Sequence, residues 1–131
     1  MYYLFVHDDA TTDLVAIRET DKQTAASILI QLQELKSNQD LMDRLTQHNY
    51  GADETADFHV SRFVEQWNQG KNLWRLKYWN LGFETKHYRI VYAFIPSKHH
   101  YHVLGVLPRY FNYDANHELT KRIINAYEDL Q

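Results

Sequence analysis

Three apolar-rich segments at 73–79, 87–95 and 101–109 follow one another at short intervals, and each carries Arg or Lys at its own place. Runs of this length rich in Val, Ile, Tyr, Phe and Trp read as strands, and connections of a few residues make them sequential antiparallel neighbours. In the first, alternation puts Arg75, Lys77 and Trp79 on one face and Trp74, Leu76 and Tyr78 on the other. The apolar trio belongs against a core, so the cations face outward. Arg89 precedes a run that is apolar on both faces, as a central strand requires, and Arg109 ends the third segment after Pro108. A packed sheet has little reason to carry cations on three strands unless one face meets something anionic.

The rest of the chain supplies helices to cover such a sheet. Residues 2–6 suit an initial strand, and Thr11 or Thr12 offers a cap for a short helix bearing Leu14 and Ile17. Ala25, Ile28, Leu29, Leu32 and Leu35 recur at helical spacing, which predicts an amphipathic helix over 21–37, and Leu41, Met42 and Leu45 support another turn or two. Between 47 and 70 the period is unclean; Phe58, Val60, Phe63, Val64 and Trp67 fit a short strand followed by a helical turn, and the segment stays unassigned. Leu119, Ile123, Tyr127 and Leu130 predict a closing helix over 114–130, with Asp114 or Asn116 as cap. The fold class expected is α+β: an N-terminal strand, a helical hairpin on one face of an antiparallel sheet, and a C-terminal helix.

With 131 residues and 44% hydrophobic content, one domain spanning 1–131 is expected. No apolar run approaches about 18 residues and the first residues lack the basic region of a signal peptide, so a cytoplasmic location is expected. Cysteine is absent, which excludes disulfides and thiolate metal sites. The net charge of −3 hides an asymmetry: residues 1–61 hold 4 Lys/Arg against 11 Asp/Glu, and residues 62–131 hold 10 against 6 together with five of the eight histidines. A basic C-terminal half suits an anionic partner, although an acidic solvated helical face gives the same imbalance. His100 and His102 share a strand face but have no evident third ligand, and no phosphate-cradling glycine loop or Ser or Cys nucleophile constellation is present.

Arg75 and Lys77 in the first strand, the Tyr88-Arg89-Ile90-Val91 run, the strand closing in Arg109, and Lys121-Arg122-Ile123 in a last helix, taken in this order, resemble the RelE/ParE-like toxins of bacterial type II toxin–antitoxin systems. The resemblance implies a small toxin held in check by a cognate antitoxin. In the favoured RelE branch it implies an mRNA endoribonuclease acting on the ribosome, without a metal or other cofactor, by attack of a ribose 2′-hydroxyl on the adjacent phosphodiester. Carried over by position, Lys77, Arg89 and Arg109 stand where the family's catalytic cations stand, Tyr113 is the candidate for the aromatic residue after the last strand with Tyr110 behind it, and Arg75 completes an alternating basic pair. His117 offers a further acid or base, or is simply a solvated first-turn residue. Lys71 and Trp79 are candidate RNA contacts; Trp79 equally well packs under a loop. The chain departs from the family in its Arg-x-Lys pair, in Pro108 and in its longer middle segment. The alternatives are the ParE-like branch, inhibitors of DNA gyrase, and an inactive binding module of the same fold.

Overall fold

A computed structural model describes residues 1–79, 87–111 and 113–130; the 80–86 connection expected between the first two cationic strands lies outside them. In chain order the elements are β1 (Tyr3–Val6), α1 (Asp8–Thr20), α2 (Lys22–Lys36), α3 (Gln39–Arg44), β2 (Phe58–Arg62), α4 (Val64–Trp67), β3 (Leu73–Tyr78), β4 (Tyr88–Ile95), β5 (His100–Pro108) and α5 (Glu118–Asp129). They build an α+β fold around one five-stranded sheet of order β1-β5-β4-β3-β2. The sheet is mixed rather than wholly antiparallel, because β1 pairs in parallel with β5. The fifth strand, β2, comes from the unassigned middle segment and pairs antiparallel with β3 along the sheet edge. No described helix is long and apolar enough to cross a membrane.

Local chemistry sets the helix starts. His7 caps α1 by accepting the Asp9 amide on Nδ1 at 3.0 Å, so this helix begins at Asp8 and not at the Thr11 or Thr12 that sequence favoured. An imidazole does here what a hydroxyl or carboxylate usually does. Asp21 caps α2, accepting the Thr24 amide at 3.1 Å and its hydroxyl at 2.7 Å. At the far end α5 starts at Glu118, after neither Asp114 nor Asn116; His117 is its cap and accepts the Leu119 amide at 3.0 Å.

The sheet is covered on both faces. One face buries Leu4, Val60, Trp74, Leu76, Tyr92 and Val103 beneath α1, α2 and α3. Two buried tyrosines join the layers, with Tyr92 donating to the Leu45 carbonyl at 2.7 Å and Tyr101 to the Met42 carbonyl at 2.8 Å. Both carbonyls lie in the last turn and cap of α3; the Met42 carbonyl also accepts the Leu45 amide at 3.1 Å. The opposite face is covered only in part: α5 seats Ile123, Ala126 and Tyr127 on Leu73, Val91, Ala93, Leu104 and Leu107. The β4–β5 ladder carries a bulge beside Tyr92, where Val91 opposes Gly105 while Tyr92 opposes Val103.

Beyond Val6 no strand among the described residues runs beside the outer edge of β5, and Asp13 of α1 takes its place. Its Oδ2 accepts the Val106 amide at 2.9 Å, and the carboxylate grips the Arg122 guanidinium of α5 through bonds of 2.9 and 2.7 Å. The pair raises the Arg122 pKa above its ordinary value, the Asp13 hydrogen bond outweighing partial burial. A Cβ at Gly105 would sit 3.1 Å from Arg122 Nη2 and 3.5 Å from Asp13 Oδ2, so a side chain there would press on the Arg122 guanidinium. Asp13→Ala removes the acceptor of the Val106 amide and leaves Arg122 only its longer contact to Asp9, 3.8 Å from Nε to Oδ2. Breaking a fully buried pair costs about 3–5 kcal/mol, and the partial exposure of this one lowers the expected loss to about 2 kcal/mol. Urea unfolding of the two proteins measures it; equal midpoints would show that the clip contributes nothing.

Candidate functional site

Where α5 stops covering its face of the sheet, that face turns cationic. Arg75 and Lys77 project from β3 beyond the buried Leu73, opposite Ser61 and His59 on β2. Arg89 projects from β4 on the same side, two residues before the buried Val91. These five side chains line a pocket of about 190 Å³. Period-2 geometry produces the cluster, because each contributing strand places every second residue on this face.

Aromatic rings build the walls. The Arg75 guanidinium lies 4.9 Å from the centre of the Tyr113 ring and 5.8 Å from that of Phe63, and its Nη2 donates to the Arg62 carbonyl at 3.3 Å. Tyr113 is buried and takes a left-handed backbone with φ of 60°. Such a conformation is rare for a bulky residue and is sustained by surrounding packing; Phe63 and Phe111, each with its ring 5.0 Å from Tyr113, supply that packing here. On the other side, Lys77 Nζ stands 4.2 Å from the centre of the Trp79 ring, and His59 stacks on the same indole at 5.9 Å with only 5° between planes. Trp79 is anchored through its Nε1 to the Gly51 carbonyl at 3.0 Å, so its ring is a fixed wall.

The pocket is short of negative charge. Among the described residues, the ion pairs join Asp9 or Asp13 to His7 or Arg122, and none ties Arg75, Lys77, Arg89 or Arg109 to a carboxylate. Burial first, and then Arg89 and Arg109, push the Lys77 pKa down, against a weaker opposing pull from Glu54. Burial also pushes the Arg89 pKa down; Tyr113 opposes this, while Arg109 and Arg75 add to it. A guanidinium starts so high that Arg89 stays charged. Burial raises the Tyr113 phenol, with Arg75 and Arg89 pulling against it. Arg75 Nε, Arg89 Nη1 and His59 Nε2 are shielded from water with no hydrogen-bond partner. The unpartnered guanidinium donors of Arg75 and Arg89 beside concentrated positive charge make a site ready for an oxyanion, whose oxygens would satisfy both.

The sequence-derived residues divide accordingly. Arg75, Lys77 and Arg89 line the pocket, Tyr113 lies against Arg75, and Trp79 lies against Lys77. Arg109 follows β5, with its amide donating to the His87 carbonyl; its side chain is exposed and close enough to act electrostatically on Lys77 and Arg89. With Tyr110, 89% exposed, it borders a separate hollow lined also by His87, Tyr88 and Pro108. His117 does not line the pocket; it caps α5 with its ring against Phe111 at 4.7 Å. Lys71 lies before β3, in a depression with Trp67, Gly70 and Asn72. His59 and Ser61 were not among the sequence-derived candidates; Phe58 and Val60 alone hinted at the strand that carries them.

The histidines give the fold a pH dependence. Burial and nearby cations lower His59, and burial with His100, His7 and Lys98 lowers His102, both from an ordinary 6.5. The unfolded chain therefore takes up these protons first. Stability is complete above about pH 6.5 and falls as acid proceeds through the two folded-state values. Melting temperatures between pH 7.5 and 5.5 should decline, and the decline should be shallower in a His59→Gln/His102→Gln protein; an unchanged slope would contradict the assignment.

No protein-family model matches the chain, no curated protein matches its sequence, and no solved structure is a match to its fold.

Proposed function

We propose that the chain is the toxin of a type II toxin–antitoxin pair and cuts messenger RNA as a RelE-like endoribonuclease, on the ribosome and in the cytoplasm. The observation that carries this reading is the pocket in which Arg75, Lys77 and Arg89 meet with no carboxylate paired to them among the described residues. Cleavage by a 2′-hydroxyl makes three demands: a proton must leave that hydroxyl, charge growing on the phosphate must be stabilised, and the departing 5′-oxygen must be protonated. Arg75 and Arg89 present planar donor sets for the phosphate oxygens. Arg109 at the rim holds a neighbouring phosphate, and Tyr113 fixes Arg75 in place. Lys77, with its pKa lowered, gives up a proton more readily than an ordinary lysine and serves the leaving oxygen. A cognate antitoxin silences the toxin by placing carboxylates on this patch.

Induced expression followed by transcript-end mapping tests the reading. The expected result is arrested translation with 5′-hydroxyl ends inside coding regions. Intact transcripts with DNA breaks and a repair response would replace it by the gyrase-inhibitor reading, and neither effect would leave a binding module.

A further inference from the structure

His59 enters the pocket from β2 as the cross-strand partner of Lys77. It differs in kind from its neighbours, because Arg75, Lys77 and Arg89 carry protons at neutral pH and have no lone pair to offer. Its ring is held flat against Trp79, 5.9 Å between centres, and its Nε2 is shielded from water with no hydrogen-bond partner. We propose that His59 is the general base of this pocket and takes the proton of the ribose 2′-hydroxyl onto Nε2. The proposal rests on the ribonuclease reading and deepens it by naming the group that starts the reaction.

Charge makes the assignment specific. The titratable and charged groups acting on His59 are Lys77, Arg89 and Arg75 from β3 and β4, and His48 from the segment before β2; all of them, with burial, disfavour an imidazolium. A phosphodiester brings one negative charge against three lining cations, with Arg109 acting on them from the neighbouring hollow. The occupied pocket therefore remains positive, and the imidazole keeps its lone pair while the 2′-hydroxyl is delivered to it. With the proton on Nδ1, Nε2 accepts the hydroxyl hydrogen. The 2′-oxygen then forms its bond to phosphorus as the bond from phosphorus to the 5′-oxygen breaks, and that oxygen takes a proton from the Lys77 ammonium. The products are a 2′,3′-cyclic phosphate and a 5′-hydroxyl. His59 loses its proton to solvent and Lys77 regains one, so atoms and charge balance without water, metal or oxidant.

The test uses the intact chain in a reconstituted translation reaction on a defined message, with an oxygen or a sulfur atom bridging phosphorus to the 5′-carbon at the cut site. A sulfur leaving group needs no proton. His59→Gln should cut both messages about 10²-fold or more slowly than wild type, whereas Lys77→Ala should recover most of its rate on the sulfur message. Wild-type rate should fall on acidification with a midpoint below 6.5, and His59→Gln should lose that limb. Binding of a 2′-O-methyl RNA, which cannot react, should stay within about three-fold of wild type in His59→Gln and His59→Asn. A His59 variant that cuts at wild-type rate, keeps the acid limb or is restored by sulfur would overturn the base assignment. Loss of 2′-O-methyl RNA binding in both variants would overturn it too, marking His59 as structural. A wild-type chain that cuts neither message sinks the ribonuclease reading itself.

Discussion

If the chain is the ribonuclease proposed above, replacing Arg89 with alanine should lower RNA cleavage by about 10²–10³-fold, the loss typical of removing one preorganised donor from a developing oxyanion. Arg89 is half-buried, its Nη1 has no hydrogen-bond partner, and its charge is felt by both Lys77 and His59. A phosphate oxygen bound there gains a donor already desolvated and fixed in place, so little reorganisation remains for the transition state. Arg109 is exposed and follows the strand rather than sitting within it. Its removal therefore acts through screened, longer-range charge and weakens cleavage less. Stability moves the opposite way: Arg89 stands among like charges, and Arg89→Ala relieves them, so its melting temperature should equal or exceed that of wild type. Single-turnover cleavage paired with thermal unfolding checks both halves. A variant that cuts normally would remove Arg89 from the chemistry, and one that melts much earlier would make it a structural cation.

The same crowding of like charge explains what sequence could and could not disclose. Arg75, Lys77 and Arg89 were legible because strand alternation has a short period and each lies beside unmistakable core residues, Trp74, Leu76 and Ile90. The helices α2 and α5 were legible for the same reason at a longer period. β2 was not. Five residues running straight into the helical turn at Val64 offer no clean period, and their partner β3 lies more than ten residues further along the chain. With β2 went His59 and Ser61, since a polar residue on an unassigned segment has no face. The histidine caps were hidden differently: His7 and His117 act through Nδ1 as acceptors, a role that composition assigns to Ser, Thr, Asp or Asn. His117 thus reads as a titratable group near Tyr113 in sequence, while in the fold its Nδ1 is already engaged at a helix start.

Ile123→Ala should cost about 2–5 kcal/mol, the range for truncating a large aliphatic residue in a closed core. Ile123 is fully buried at 0% exposure and shares its cluster with Leu104, Leu107, Phe111, Tyr113 and Tyr127. The helix has few other anchors on the sheet. Tyr127 accepts the Asn72 amide at 3.1 Å on its hydroxyl, Asp13 holds Arg122, and Thr120 and Ala126 are too small to take up the lost contact. Because Phe111 and Tyr113 lie in the same cluster, loosening α5 also releases the ring that faces Arg75. The expected result is a melting temperature lower by on the order of 10 °C, faster amide exchange in α5 than in α2, and reduced cleavage even at temperatures where the protein is folded. Tyr127→Phe separates the two contributions: it keeps the ring, loses one hydrogen bond worth about 1 kcal/mol, and should leave cleavage intact. If Ile123→Ala melts and cuts like wild type, α5 is not the support of the cationic pocket, and the geometry around Arg75 must be held by β2 and β3 alone.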